Sequence, residues 1–182
     1  MGGSGSGRTR ANSVGLTTLI GRRVRIAEGT LGAALEREHR EIDQAIESYI
    51  SGSTAGENPV EPLVVAIRAL RRHIYLEEAF LFPPLRDAGL MAPVFVMLRE
   101  HGQMWKTMDA LDSTVRSGTS HASVLDSCYA LAGQLRAHNP KEEQILYPLA
   151  DTALTASANA ALEAFIASGQ TPEGWVCEGA EH

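Results

Sequence analysis

"HIYLEEAFLFP", residues 73–83, sets a histidine and a glutamate four residues apart inside a run of Ile, Leu and Phe. "HNPKEEQILYP", residues 138–148, repeats it, and both fit H-x-x-x-E-E-x-x-L-[F/Y]-P. A shorter element, "REH", recurs at 37–39 and 99–101. The order is REH, HxxxEE, REH, HxxxEE at similar offsets. That is the pattern of a doubled helical hairpin, each half giving two helices.

Hydrophobic spacing sets the elements around these motifs. A helix over about 31–50 aligns Leu35, Ile42, Ile46 and Tyr49. A second, over about 60–82, aligns Leu63, Ile67, Leu70 and Ile74, and the Pro83-Pro84 pair is expected to stop it. A third opens near Pro93, a favourable first-turn residue, and aligns Val94, Met97, Met104, Met108, Leu111 and Val115. A fourth opens near His121 with Val124, Cys128, Leu131 and Leu135. A short fifth covers about 157–167, before a Gly-rich tail. "SGSTAGENP" and "SGTS" read as breaks between helices. Such short connections leave no room for long crossovers. The expected fold is all-α, an antiparallel up-down four-helix bundle with a short fifth helix. The bundle occupies 31–150. Residues 1–30 read as a flexible N-terminal arm or tag, and 151–182 as a short helix and C-terminal tail.

The chain has 182 residues, 44% of them hydrophobic, which suits one domain with a sizeable core. Net charge is −6, and the basic residues are scattered apart from "RTR" and "GRRVR" near the N-terminus. Nucleic-acid binding therefore has no support. No apolar run approaches a membrane span. Two cysteines, Cys128 and Cys177, without a CxxC, indicate neither a zinc site nor a disulfide framework; the expected setting is reducing and cytoplasmic.

The motif residues lie in register with the apolar stripes. The first helix reads Leu35, His39, Ile42, Ile46, and the third reads Met97, His101, Met104, Met108. The second reads Leu70, Ile74, Glu77, Leu81, with His73 beside them. The fourth reads Leu135, His138, Glu142, Ile145, Leu149. Four His and two Glu thus face inward. A buried carboxylate is protonated, paired with a cation or bound to a metal, and few inward Lys or Arg are present to pair with these. Residues at i and i+4 lie about 40° apart on a helix, so each His–Glu pair can reach one centre. Four imidazoles and two carboxylates exceed the four ligands of a structural zinc. They suit two transition metals, with the carboxylates able to bridge.

Around this set, Glu78 and Glu143 are expected at solvent or a helix flank. Met104, Trp105 and Met108 read as core, and Cys128 as a small buried apolar residue. Cys177, in the tail, is a candidate reactive thiol. Pro140 is expected to kink the fourth helix while His138 and Glu142 still reach the metal.

The ferritin-like di-iron pattern, built on Glu-x-x-His, has the reverse order and fewer His. The motif H…HxxxE…H…HxxxE, on His39, His73, Glu77, His101, His138 and Glu142, instead resembles the hemerythrin-like, or HHE cation-binding, family over about 31–150. The resemblance implies an up-down four-helix bundle. It also implies a non-haem di-iron centre, oxo- or hydroxo-bridged, with Glu77 and Glu142 bridging. The implied partner is O2, peroxide or nitric oxide, bound or reduced; di-iron oxidoreductase activity towards it, an iron- or oxygen-sensing role, and a di-iron oxidase or oxygenase acting on an organic substrate are the alternatives. Oxygen-carrying members have a further His one turn after the third-helix His, where this chain has Trp105. Asp43 and Glu78 are the candidates to replace it.

Overall fold

The computed structural model describes residues 30–54, 60–118 and 120–180. The N-terminal arm lies outside the described residues except for Thr30, whose hydroxyl accepts from the Ala33 amide at 3.3 Å and caps the first helix.

The described residues form helices without strands. Helix α1 spans Leu31–Thr54 and α2 Val60–Leu76. A wide π turn, Glu77–Leu81, joins α2 to α3, Phe82–Asp87. Helix α4 spans Met91–Ser117 and α5 His121–Lys141. A second π turn, Glu142–Leu146, joins α5 to α6, Tyr147–Ala153. Helix α7 spans Ala156–Ser168, and a 3-10 turn, Glu178–Ala180, closes the described chain. Gly118, at φ 62, ends α4 in the left-handed region, and the Ser120 and Thr155 side chains cap α5 and α7. In the bundle α1 packs on α2 and α5, and α4 packs on α2 and α5. Arg71 of α2 is fastened to Asp109 and Asp112 of α4 at 2.7 and 2.6 Å. No helix of the described residues is long and apolar enough to cross a membrane.

The Pro83-Pro84 pair does not stop the second helix; the chain runs on to Asp87. A proline ring clashes with the carbonyl four residues back. The π turn widens the helix there, and the Phe82 amide bonds to the Glu77 carbonyl, five residues back. The second copy does the same ahead of Pro148, with the Tyr147 amide on the Glu142 carbonyl. Pro140 lies inside α5 without ending it.

The π turn also corrects the register expected beyond Glu142. The turn absorbs one extra residue, so the inward positions beyond it fall one residue later: Ile145 and Leu149 are exposed while Leu146, Tyr147 and Ala150 are buried.

The motif residues form a polar layer between two apolar ones. On one side lie Ile42, Ile46, Ile67, Leu70, Met104, Met108, Leu131 and Leu135. On the other lie Leu35, Leu76, Leu81, Phe82, Met97, Leu98, Leu146 and Tyr147. Each fully buried aliphatic side chain contributes about 1.5–3 kcal/mol, enough across these two layers to hold the costly polar layer between them.

Candidate metal centre

All six residues read as ligands are buried: His39, His73, Glu77, His101, His138 and Glu142. They form two overlapping groups whose ligand atoms lie within 4.8 Å of one another. The first position is His39, His73, Glu77 and Glu142; the second is Glu77, His101, His138 and Glu142. Each glutamate divides its oxygens between them. Glu77 turns Oε1 to His73 Nε2 at 3.5 Å and Oε2 to His101 Nε2 at 3.3 Å. Glu142 turns Oε2 to His39 Nε2 at 3.4 Å and Oε1 to His138 Nε2 at 3.1 Å. Two carboxylates spanning two positions is the arrangement of bridging ligands.

Outside this layer every histidine meets a second carboxylate through Nδ1. The partners are Glu143 for His39, Glu38 for His73 and Glu78 for His101, each at 2.9 Å, and Glu100 for His138 at 3.0 Å. A carboxylate at Nδ1 holds the ring proton there and turns the Nε2 lone pair inward, the tautomer a metal requires. Glu78 and Glu143 are therefore not idle flank residues; they orient His101 and His39. The signal is in the repeat. Glu38 and Glu100 are the glutamates of the two REH elements, and Glu78 and Glu143 are the second glutamates of the two HxxxEE elements.

Tyr147, a residue outside the ligand pattern of the sequence, reaches into the first position. Its hydroxyl donates to Glu77 Oε1 at 2.8 Å and lies 3.0 Å from His39 Nε2 and 3.3 Å from His73 Nε2. Burial, with Glu77 and Glu142 beside it, holds this phenol well above its usual range. The matching residue of the first copy is Phe82. Its ring stacks on His101 at 5.4 Å and 16° and brings no polar atom to the second position.

The residues present fit metal ions. Glu77 Oε2, His101 Nε2 and Glu142 Oε1 are buried at the second position, close to one another and to His138 at 3.1–3.6 Å but without hydrogen-bond geometry. Lone pairs converging out of water are stable only around a cation. The electrostatics of the metal-free layer carry the same demand. Burial favours neutral His73, but Glu77 and Glu38 outweigh it and raise the imidazole to about 10. Burial and Glu142 press Glu77 upward, yet His73 and His101 bring it down to about 2. His101 is likewise raised and Glu142 lowered, against the burial of both. Protons here take the place of positive charge.

Neither candidate for the missing ligand reaches the centre. Asp43 accepts from the Asn139 amide at 3.1 Å, and Glu78 is spent on His101. Trp105 is core and packs edge-on against Trp175 at 5.4 Å. Cys177 is fully buried, and burial, with Glu78 nearby, pushes its thiol up to about 11, which removes the reactive role expected of it.

A cleft of about 350 Å³ between α4 and α5 is lined by Glu100, Gln103, Met104, Gly133, Ala137 and His138. It brings solvent-accessible space to a ligand of the second position. The larger hollows, about 640 and 850 Å³, are lined by none of the six ligands.

Comparison with curated proteins and with solved structures returns no match. The model of the hemerythrin HHE cation-binding domain matches residues 30–150, the span that supplies all six candidate ligands and their four outer carboxylates. With that match and this geometry, the chain belongs to the hemerythrin HHE cation-binding domain family.

Proposed function

We propose that this protein is a non-haem di-iron protein that binds or reduces a small oxidant, O2, peroxide or nitric oxide, at the His101/His138 position. The observation that carries the reading is the inequality of the two positions. Tyr147 fills the space beside His39 and His73, whereas the second position has three buried polar atoms without hydrogen-bond geometry, an apolar Phe82 and a cleft at His138. His39, His73 and Tyr147 would hold one iron, His101 and His138 the other, with Glu77 and Glu142 between them. Two ferrous ions supply the electron pair that reduction of peroxide needs. The protein's part is to hold the imidazoles in the ligand tautomer, keep one position open and exclude bulk water with the apolar layers on either side. None of the six ligands lines the larger hollows, which argues against an organic substrate. Two unpaired buried cysteines support a reducing, cytoplasmic setting.

The test is metal analysis combined with rapid mixing of anaerobically reduced protein against O2, peroxide and nitric oxide. Two irons per chain with fast oxidation supports the reading; a single tightly held zinc would sink it. A sensing role, by metal-dependent folding, is the second reading. It is favoured by the burial of the whole ligand set, which leaves a costly polar layer in the core when metal is lost.

A further inference from the structure

The family domain ends at residue 150, but the chain does not leave the metal centre there. Beyond α7 it passes over α4 with Trp175 against Trp105 and Tyr75, and it buries Cys177 in the apolar core. It then lays the Glu178–Ala180 turn on α4 next to His101. The close approach depends on two glycines. A Cβ on Gly102 would run into the Gly179 backbone, and a Cβ on Gly179 would run into the Leu98 carbonyl. This seating brings the Glu178 amide 2.9 Å from Glu78 Oε2, and the other oxygen of Glu78 is the one on His101 Nδ1.

The four outer carboxylates are not held alike. Glu38 is steadied by Arg72 at 3.2 Å and Glu100 by Lys141 at 2.6 Å, both cations of the family domain. Glu78 is steadied by a backbone amide from outside it. A fixed amide sets the direction of a carboxylate, so the Glu78 oxygen that meets His101 is held in place.

We infer that the C-terminal strap, residues 175–180, is a positioning element of the metal centre: the Glu178 amide fixes Glu78, and Glu78 fixes His101 at the second metal position. The inference rests on the two-metal reading above and is independent of which metal is bound. It assigns to the Gly-rich tail a role that the family domain does not contain. It also predicts a selective effect, because the strap reaches His101 and not His39, His73 or His138.

The experiment is a chelator challenge of the metal-loaded full chain, with the released metal quantified over time. Gly179→Ala lifts the strap from Leu98, and Glu178→Pro removes the donor N–H and leaves the two glycines in place. Each is expected to release one of the two metal equivalents about tenfold faster and leave the other unchanged, the range found when a residue orienting a ligand is lost. Glu78→Gln is expected to accelerate the same equivalent, and Gly179→Ala added to Glu78→Gln to accelerate it no further. General loosening of the fold would instead speed both equivalents, or would add to the Glu78→Gln effect; either result overturns the inference. So does unchanged release from both strap variants. A wild type that holds only one equivalent would overturn the two-metal reading itself, and this inference with it. Two equivalents released alike from wild type and variants would overturn this inference alone.

Discussion

Phe82 and Tyr147 stand at matched places in the two halves of the bundle, each directly after a π turn and directly before a proline. Only Tyr147 carries an oxygen, and that oxygen makes the two metal positions unlike. Replacing Tyr147 with Phe should make them alike. In the iron-loaded ferric protein the expected result is loss of the visible phenolate-to-iron charge-transfer absorption, and azide should then bind at both positions instead of one. Metal-free, the same variant should lose about 1–3 kcal/mol, because Glu77 Oε1 gives up its 2.8 Å donor while still buried. A wild-type spectrum without such a band would remove Tyr147 from the ligand set.

Metal removal should cost the fold heavily. With free metal at about a thousand times its dissociation constant, one bound ion adds about 4 kcal/mol. For a domain of this size that corresponds to about 8–16 °C in melting temperature. Calorimetry before and after chelation is the check, and an unchanged melting temperature would speak against a centre coupled to the core.

The metal-free protein should lose stability as the solution turns alkaline. His73 is raised to about 10 in the fold, against about 6.5 in an unfolded chain. A raised group favours the fold fully below its unfolded value and ceases to once pH exceeds the folded one, so the loss falls between about 6.5 and about 10. Glu77 works at the other end. Held at about 2, it contributes above the ordinary glutamate range and fails as pH drops through its folded value. Metal needs deprotonated imidazoles, so the gap between loaded and metal-free melting temperatures should widen over the alkaline range. A gap that narrows there would contradict the titration.

Gly133 offers a way to separate access from stability. A Cβ placed there has nothing within 4 Å, and the residue lines the cleft that ends at His138. Gly133→Ala should stabilise α5 by about 1 kcal/mol from helix propensity alone. Gly133→Leu should keep the fold and slow the reaction with oxidant several-fold by filling the cleft. Equal rates in stopped flow for all three proteins would place the entry route elsewhere.

The clustering of these six side chains is legible in the sequence because its signal is redundant. Four histidines and two glutamates fall on apolar stripes, and the whole order occurs twice. The features that escape have a different physical character. Ile145 and Leu149 are expected inside if a constant helical period is carried through Glu142, and the π turn breaks that period. Pro83 and Pro84 look like a stop because widening the helix ahead of them leaves no mark in composition. Glu38, Glu78, Glu100 and Glu143 sit one place along the chain from a ligand, where helix geometry alone suggests a flank. Long side chains that cross to a neighbouring helix are needed to bring them to the imidazoles. The tail reads as loose because glycine usually marks freedom. At Gly179 it marks the opposite, a contact too close for any side chain.

The two π turns have a consequence for insertions and deletions. Removing one residue from an ordinary helix shifts everything beyond it by about 100° and 1.5 Å. Within Glu142–Leu146 the same loss would restore the regular α-helical period, so the backbone would gain regularity. The residues beyond would keep nearly their present bearing, because Tyr147 lies one wide turn after Glu142 and would then lie one ordinary turn after it. A one-residue deletion there that spares Glu142 therefore leaves the Tyr147 side chain on the same face, the reverse of what a deletion in a plain helix does. The cost would fall on the proline that follows, whose ring would meet the carbonyl four residues back in a turn no longer widened for it.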